Sequence, residues 1–230
     1  METGSVGEEG AAPTSAQAGG VRRGLRARLF AWMLASAGAS HHRHLADRKR
    51  ALFDRLGEAG TAPVVVEIGA GAGPNAPLLP PGTRWIAVEP NVHFHPHLRA
   101  QAEAHGLDLE IRDGTAEALP VGDAEADAVV STLVLCSVAS PEASLAEVQR
   151  VLRPGGRFVF VEHVAAPRGS GLRWAQRVVR GPWRLVGDGC RLDRETGALI
   201  EAAGFAEVEI ERFRAPLGLV SPHIAGVAMV

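Results

Sequence analysis

The sequence predicts an α/β protein: a seven-stranded, mostly parallel sheet with helices on both faces and an antiparallel last strand. Three observations predict it. After Pro63, short β-branched runs alternate with Ala- and Leu-rich stretches, the order that buries a parallel sheet between two helical layers. The first of these runs leads straight into a glycine-rich turn, and open α/β sheets bind ligands at such strand ends. The last two runs are joined by residues 214–223, which include Pro216 and Pro222. That connection is too short for a helical crossover, so the final strand reverses.

The elements follow in order. Residues 1–20 are rich in Gly, Ala, Ser and Glu and are expected to be a disordered tail. Residues 21–60 read as two N-terminal helical segments, broken near 38–40, with Ser40 placed to cap the second. Residues 61–230 carry the sheet. Strands are expected at 64–68, 85–88, 109–112, 128–133, 158–162, 206–213 and 224–230. The segments between the first five are long enough for crossover helices, and further helical stretches lie at 171–186 and near 194–203.

Composition narrows the function. The chain has 230 residues, 46% of them apolar, which suits one domain with appendages and a full core. A net charge of -2 exerts no global pull on nucleic acid. No basic patch with interleaved aromatics and no Asn/Asp-Pro-Pro-aromatic tetrad is present, so no nucleic-acid partner is expected. Lys49 is the only lysine, and the two cysteines, Cys136 and Cys190, lie far apart in sequence. That excludes a secreted disulfide framework, and a cytoplasmic setting is expected. The apolar run 29–39 is too short to span a bilayer. Arg22, Arg23, Arg26 and Arg28 precede it, so contact with a membrane surface stays open but is not predicted.

The first strand runs into Glu67-Ile68-Gly69-Ala70-Gly71-Ala72-Gly73. Glycines are needed where a backbone turns sharply and lies close to a ligand. A dinucleotide fingerprint would place its third glycine at Pro74, so that pattern fails. The spacing is acidic-x-Gly-x-Gly-x-Gly, with a ligand-free turn as the alternative. The second strand ends in Val88-Glu89-Pro90-Asn91, with Glu89 twenty residues beyond Gly69. A carboxylate there can accept both hydroxyls of a ribose, or simply sit beside a helix start. Next come Asp113-Gly114-Thr115-Ala116-Glu117-Ala118-Leu119-Pro120 and Arg150-Val151-Leu152-Arg153-Pro154-Gly155-Gly156. The Pro-Gly-Gly of the latter reads as a structural breaker before the fifth strand.

These four motifs, in this order, resemble those of class I S-adenosylmethionine-dependent methyltransferases, which have a Rossmann-like fold. The resemblance implies S-adenosyl-L-methionine as cofactor, with the loop 69–73 under its methionine moiety. It implies a cofactor-binding set of Glu67, Gly69, Gly71, Gly73, Glu89, Pro90, Asp113, Thr115, Ala116 and Leu133. Glu67 would help hold the ammonium group and Glu89 the ribose. Thr115 stands where the family usually has Asp, so the adenine amine falls to Thr115, Asp113 or backbone. Further stretches (48–53, 132–138, 162–165, 188–190 and 222–224) resemble the methyltransferase-like 7 proteins, the alkyl thiol S-methyltransferases, from about His44 to the C-terminus. That family carries a long hydrophobic N-terminal anchor where this chain has only the run 29–39. It commonly has Asp where this chain has Glu89.

Methyl transfer from a sulfonium is an in-line displacement that needs alignment and exclusion of water. A thiol acceptor, with a pKa near 8.5, must also lose its proton. Candidates lie where strands present their carboxyl ends: His163 after the fifth strand, His223 at the start of the reversed strand, and Asp188 in a Gly-bounded turn. We take His163 and His223 as acceptor-side groups and Asp188 as base or orienter, against the alternative that each is structural. Cys136 reads as a small buried apolar residue rather than a nucleophile. His41, His42 and His44, and His93, His95 and His97, lack a partner at ligand spacing, so no metal is expected. The helix 41–57 is expected to close over the cofactor with Arg48 and Arg50 exposed. The helix 171–186, with Trp174 and Trp183, is expected to form an apolar lid for a small acceptor. The leading expectation is S-methylation of a small-molecule thiol. The rivals are O-, N- or C-methylation of a quinone, polyketide or other metabolite, and a non-catalytic binding module on the same fold.

Overall fold

The computed structural model describes residues 21–56 and 63–230, with the backbone alone at 35–42. The expected tail 1–20 lies outside the described residues. Val64-Val65-Val66-Glu67-Ile68 forms β1 (Val64–Ile68), because a β-branched run packs well on both faces of a buried strand. It is followed by β2 (Arg84–Val88), β3 (Asp108–Arg112), β4 (Ala126–Thr132), β5 (Leu152–His163), β6 (Glu207–Arg214) and β7 (Pro222–Met229). The seven strands are ordered β3-β2-β1-β4-β5-β7-β6. The pairs from β3 through β5 are parallel, and β7 runs antiparallel to both β5 and β6. The strand order reverses direction between β1 and β4, which opens a crevice at their carboxyl ends.

Alternate strand residues build two cores. One face carries Val66, Ile68, Ile86, Val129, Phe158 and Phe160 beneath α3 (Pro141–Val151) and α5 (Thr196–Ala202). The other carries Val65, Trp85, Ala87, Val130 and Val159 beneath α2 (His95–His105) and the end of α1 (Leu25–Asp54), through Leu98 and Phe53. Helix α4 (Gly171–Val186) completes the set.

Three expectations need correction. The N-terminal region is one continuous helix, so residues 38–40 do not break it and Ser40 is no cap. Glycine in a helix interior costs only about 1 kcal/mol, and the helix is anchored at both ends, at Ala27 through Asn91 and at the buried Leu45, Lys49 and Phe53. The connections β1–β2 and β3–β4 contain no α-helix. The first holds only a 3-10 turn, Ala76–Leu78, because Pro74, Pro77, Pro80 and Pro81 remove backbone donors. Finally, Pro154-Gly155-Gly156 does not precede the fifth strand but lies inside it. The irregularity is absorbed where the pairing jumps from Ala126↔Leu152 to Ala128↔Arg157. No described helix is long and apolar enough to cross a membrane.

Gly226 shows how tightly β7 is wedged. A Cβ there would lie 2.0 Å from the Glu209 carbonyl oxygen and 2.7 Å from the Phe160 ring. Gly226→Ala is therefore expected to cost about 3 kcal/mol, read as a lowered urea midpoint at unchanged cofactor-loop sequence. An unshifted midpoint would show that β7 can move away from its neighbours.

Candidate active site

β1 and β2 bring two buried carboxylates to the crevice. Glu89, at the end of β2, is 5% exposed. One of its oxygens accepts the Gly71 N–H at 2.8 Å and the other accepts the Asn91 N–H at 2.8 Å. Burial pushes its pKa up, opposed by those two backbone donors and by the nearby His95 and Arg22. Glu67, on β1, accepts from Asn75 Nδ2 at 2.7 Å and from Trp85 Nε1 at 2.9 Å. Burial pushes Glu67 up to about 7. Lys49, on α1, is 2% exposed and is brought down to about 8 by burial, offset by the Glu67 charge.

The glycine loop between them is built as the spacing requires. Gly69 has φ +60°, and a Cβ there would lie 2.8 Å from the Val134 side chain. Gly71 has φ +55°, with the Leu34 side chain of α1 3.9 Å from where a Cβ would be. Helix α1 therefore passes over the loop. The segment leading into α1 continues across the site. The Arg22 N–H donates to Pro90 O at 2.7 Å, and Asn91 Nδ2 donates to Ala27 O at 3.0 Å. The Arg22 guanidinium makes a bidentate ion pair with Asp188, and Arg26 donates to Leu185 O at 2.6 Å. Residues 22–34 thus form a strap from the β2 end to the turn after α4.

The two histidines expected on the acceptor side lie at the β5–β7 edge. His163 and His223 face each other in register, with rings 6.4 Å apart, and are 4% and 1% exposed. His163 Nε2 lies 3.0 Å from Cys190 Sγ, which also accepts from Trp183 Nε1 at 3.2 Å. Cys136 Sγ, Cys190 Sγ and a ring nitrogen of His163 all lie within 4.8 Å of one another. The close approach of the two sulfurs lowers the Cys190 thiol and raises that of Cys136, which burial raises further. His223 is lowered by burial, opposed by its hydrogen bond to Ser221 O, and is stacked on Phe213.

The remaining sequence candidates are placed as follows. Pro90 meets the strap, and Asp113 lies 3.7 Å from His95 Nε2. Thr115 pairs with Ala118 across a tight turn, and Ala116 is buried in the core. Leu133 leaves β4 with φ +61° and donates its N–H to Val161 O. Asp188 is turned to Arg22, so its carboxylate is committed to the strap. Trp174 is 70% exposed, whereas Trp183 reaches Cys190. Arg50 is exposed, but Arg48 lies over the Phe213 ring at 4.0 Å and pairs with Glu211. Sequence reasoning missed Lys49, Asn75, Trp85, Arg22 and Cys190 as members of the site. Only Lys49, the sole lysine, and the glycines around Cys190 carried any signal.

Residues 66–160 match the family model described as a methyltransferase domain. Thiol S-methyltransferase TMT1B of Homo sapiens is 41% identical, over 87% of this chain and 85% of that protein. TMT1A of Homo sapiens is 39% identical over the same shares. The chain belongs to the thiol S-methyltransferase family. A solved S-adenosylmethionine-dependent methyltransferase of Thermotoga maritima, a possible histamine N-methyltransferase, is similar with TM-score 0.56 and 20% identity. That likeness covers 87% of this chain and 99% of the other, and it shows the shared fold. The protein is an S-adenosylmethionine-dependent methyltransferase.

The residues present fit that cofactor. Each Glu89 oxygen spends one lone pair on a backbone donor and keeps capacity for a ribose hydroxyl. Asn75 Oδ1 is buried without a partner beside Glu67, a spare acceptor suited to an ammonium donor. The glycine loop leaves room that side chains would fill.

Glu89→Ala is expected to weaken S-adenosylmethionine binding by at least about 100-fold, since hydrogen bonds to charged groups are worth about 1.5–3 kcal/mol each. Calorimetry showing unchanged affinity would remove the ribose assignment. Glu67 also makes a pH prediction. Its folded pKa, about 7, exceeds the ordinary carboxylate value of 4.5, so the native state binds its proton more tightly than the unfolded chain. Its contribution to stability therefore falls as pH rises through that window, by at most about 1.4 kcal/mol per unit. The cofactor-free Glu67→Gln protein should show a flatter midpoint-versus-pH curve between those values, and an unaltered slope would place the effect elsewhere.

Proposed function

We propose that this enzyme transfers the methyl group of S-adenosylmethionine to the sulfur of a small, apolar thiol. The observation that carries the reading is the identity of about 40% with thiol S-methyltransferases, which spans 87% of the chain and so includes the acceptor half as well as the cofactor half.

The chain's own residues supply three things. Glu89 and the 69–73 loop hold the donor, with Asp113, Thr115, Ala116 and Leu133 around its base. The strap, latched by Arg22 and Asp188, covers the reacting centre and keeps water from it. His163 and His223 are the acceptor-side imidazoles, placed to orient the thiol and manage its proton, while Asp188 acts through Arg22 as an orienter. Thiolate is intrinsically a strong nucleophile, so a modest push toward ionisation and good alignment are sufficient. Free cysteines at the site support a reducing, cytoplasmic setting.

Methyl-labelled cofactor offered with alkyl thiols, phenols and amines should label the thiols at least about tenfold faster, since discrimination of this size needs only about 1.4 kcal/mol. Label on phenols or amines with none on thiols would overturn the sulfur assignment.

A further inference from the structure

The acceptor edge holds a constellation that holding the cofactor does not require. Cys136 follows β4, His163 ends β5 and Cys190 lies beyond α4, yet their ligand atoms lie within 4.8 Å of one another and all three are buried. Two buried thiols could be mere apolar filling. Two features argue against that here.

First, both cysteines are presented by left-handed non-glycine residues. Leu133, three residues before Cys136, has φ +61°, and Asp188, two residues before Cys190, has φ +52°. Such conformations cost about 1–3 kcal/mol each and persist where the surroundings enforce them.

Second, the three segments are stitched together. The Arg194 guanidinium donates to Leu135 O and, at 2.9 Å, to Val138 O. Arg191 N–H donates to Cys136 O at 2.9 Å, and Ala165 N–H donates to Arg194 O at 2.9 Å. Trp183 Nε1 donates to Cys190 Sγ, the kind of outer-shell bond that fixes a thiolate ligand.

We propose that Cys136, His163 and Cys190 form a three-ligand site for a soft divalent metal, zinc by chemical class, whose fourth position takes the sulfur of the methyl acceptor. The role of the fourth position rests on the thiol reading above. Tetrahedral zinc with bonds of about 2.0–2.3 Å spaces its ligand atoms roughly 3.5–3.8 Å apart. The observed 3.0 Å contact lies below that spacing and the other separations are at most 4.8 Å, so adjustments of up to about an ångström complete the site. Two thiolates and one imidazole are a zinc donor set, and three protein ligands leave the position that catalytic zinc sites keep open. His163 then serves as a ligand rather than as a proton acceptor. As it binds the metal, and before water is excluded, the entering thiol loses its proton to solvent. A sulfur lone pair forms the new S–CH3 bond while the carbon–sulfonium bond breaks, its electron pair staying on the cofactor sulfur. A thioether and S-adenosylhomocysteine leave.

The test uses the full chain, stripped with a chelator and titrated with cobalt(II). The expected result is one ion per chain with sulfur-to-cobalt charge-transfer and intense four-coordinate ligand-field bands. Adding an alkyl thiol should raise the charge-transfer band by about half, three sulfurs replacing two. Cys136→Ser, Cys190→Ser and His163→Gln should each weaken binding at least about tenfold, in line with loss of one ligand or its support. Zinc should restore at least about tenfold of thiol methylation to the stripped enzyme, reflecting the lowered thiol pKa. If a variant fails to fold, the wild-type titration and its thiol response carry the test. No stoichiometric cobalt, cobalt bound equally by all three variants, or a Cys136–Cys190 disulfide in place of metal overturns the site. Full thiol methylation by the stripped enzyme overturns the metal's role and leaves the thiol reading intact. Expected cobalt bands with no thiol methylated or bound overturn the thiol reading and the fourth-position role together.

Discussion

The carboxylate of Glu89 is the constraint on which the donor site depends. Its two oxygens grip the backbone of Gly71 and of Asn91, so one side chain ties the glycine loop after β1 to the turn after β2. Asn91 in turn holds Ala27, and Pro90 holds Arg22. Loop, β2 turn and N-terminal strap are therefore tied together through a single buried side chain. Burying a carboxylate is costly, and the cost is met by oriented N–H donors and by the nearby His95 and Arg22.

The second half of the site is governed by chain distance. Arg22 and Asp188 are 166 residues apart, yet their pair joins the strap to the turn that presents Cys190. The Glu89 crevice and the β5–β7 edge are thus mechanically linked: the same strap that meets the turn after Glu89 is latched beside the sulfur–imidazole cluster. Glu67 and Lys49 repeat the logic on the opposite side of the loop. A lysine from α1 and a carboxylate from β1 are buried within electrostatic reach, each moved toward its neutral form.

Much of this was legible in the residue pattern. β1 is confirmed at its expected bounds, β2 and β3 within a residue, and the reversed last strand lies where its short, proline-bearing connection required. The Glu89 spacing and the positive-φ glycines are local properties, and local properties are written in sequence. The continuity of α1 was not legible, because Gly38 and Ser40 carry a real propensity cost that tertiary anchoring overrides. The missing crossover helix after β1 was legible in principle from its four prolines, which the length of the segment outweighed in the expectation. The exposure of Trp174 was not, since a helix that buries Arg173 and Gln176 inverts the usual apolar face.

By itself the sequence determined the sheet, its reversed edge, and the donor loop with its carboxylate, because each depends on residue types a few positions apart. Only the tertiary structure decided that Asp188 belongs to Arg22, that Lys49 lies near Glu67, and that Cys136, His163 and Cys190 converge. Those pairings join segments separated by strands and helices, and their energies come from burial and close approach, which no linear spacing records.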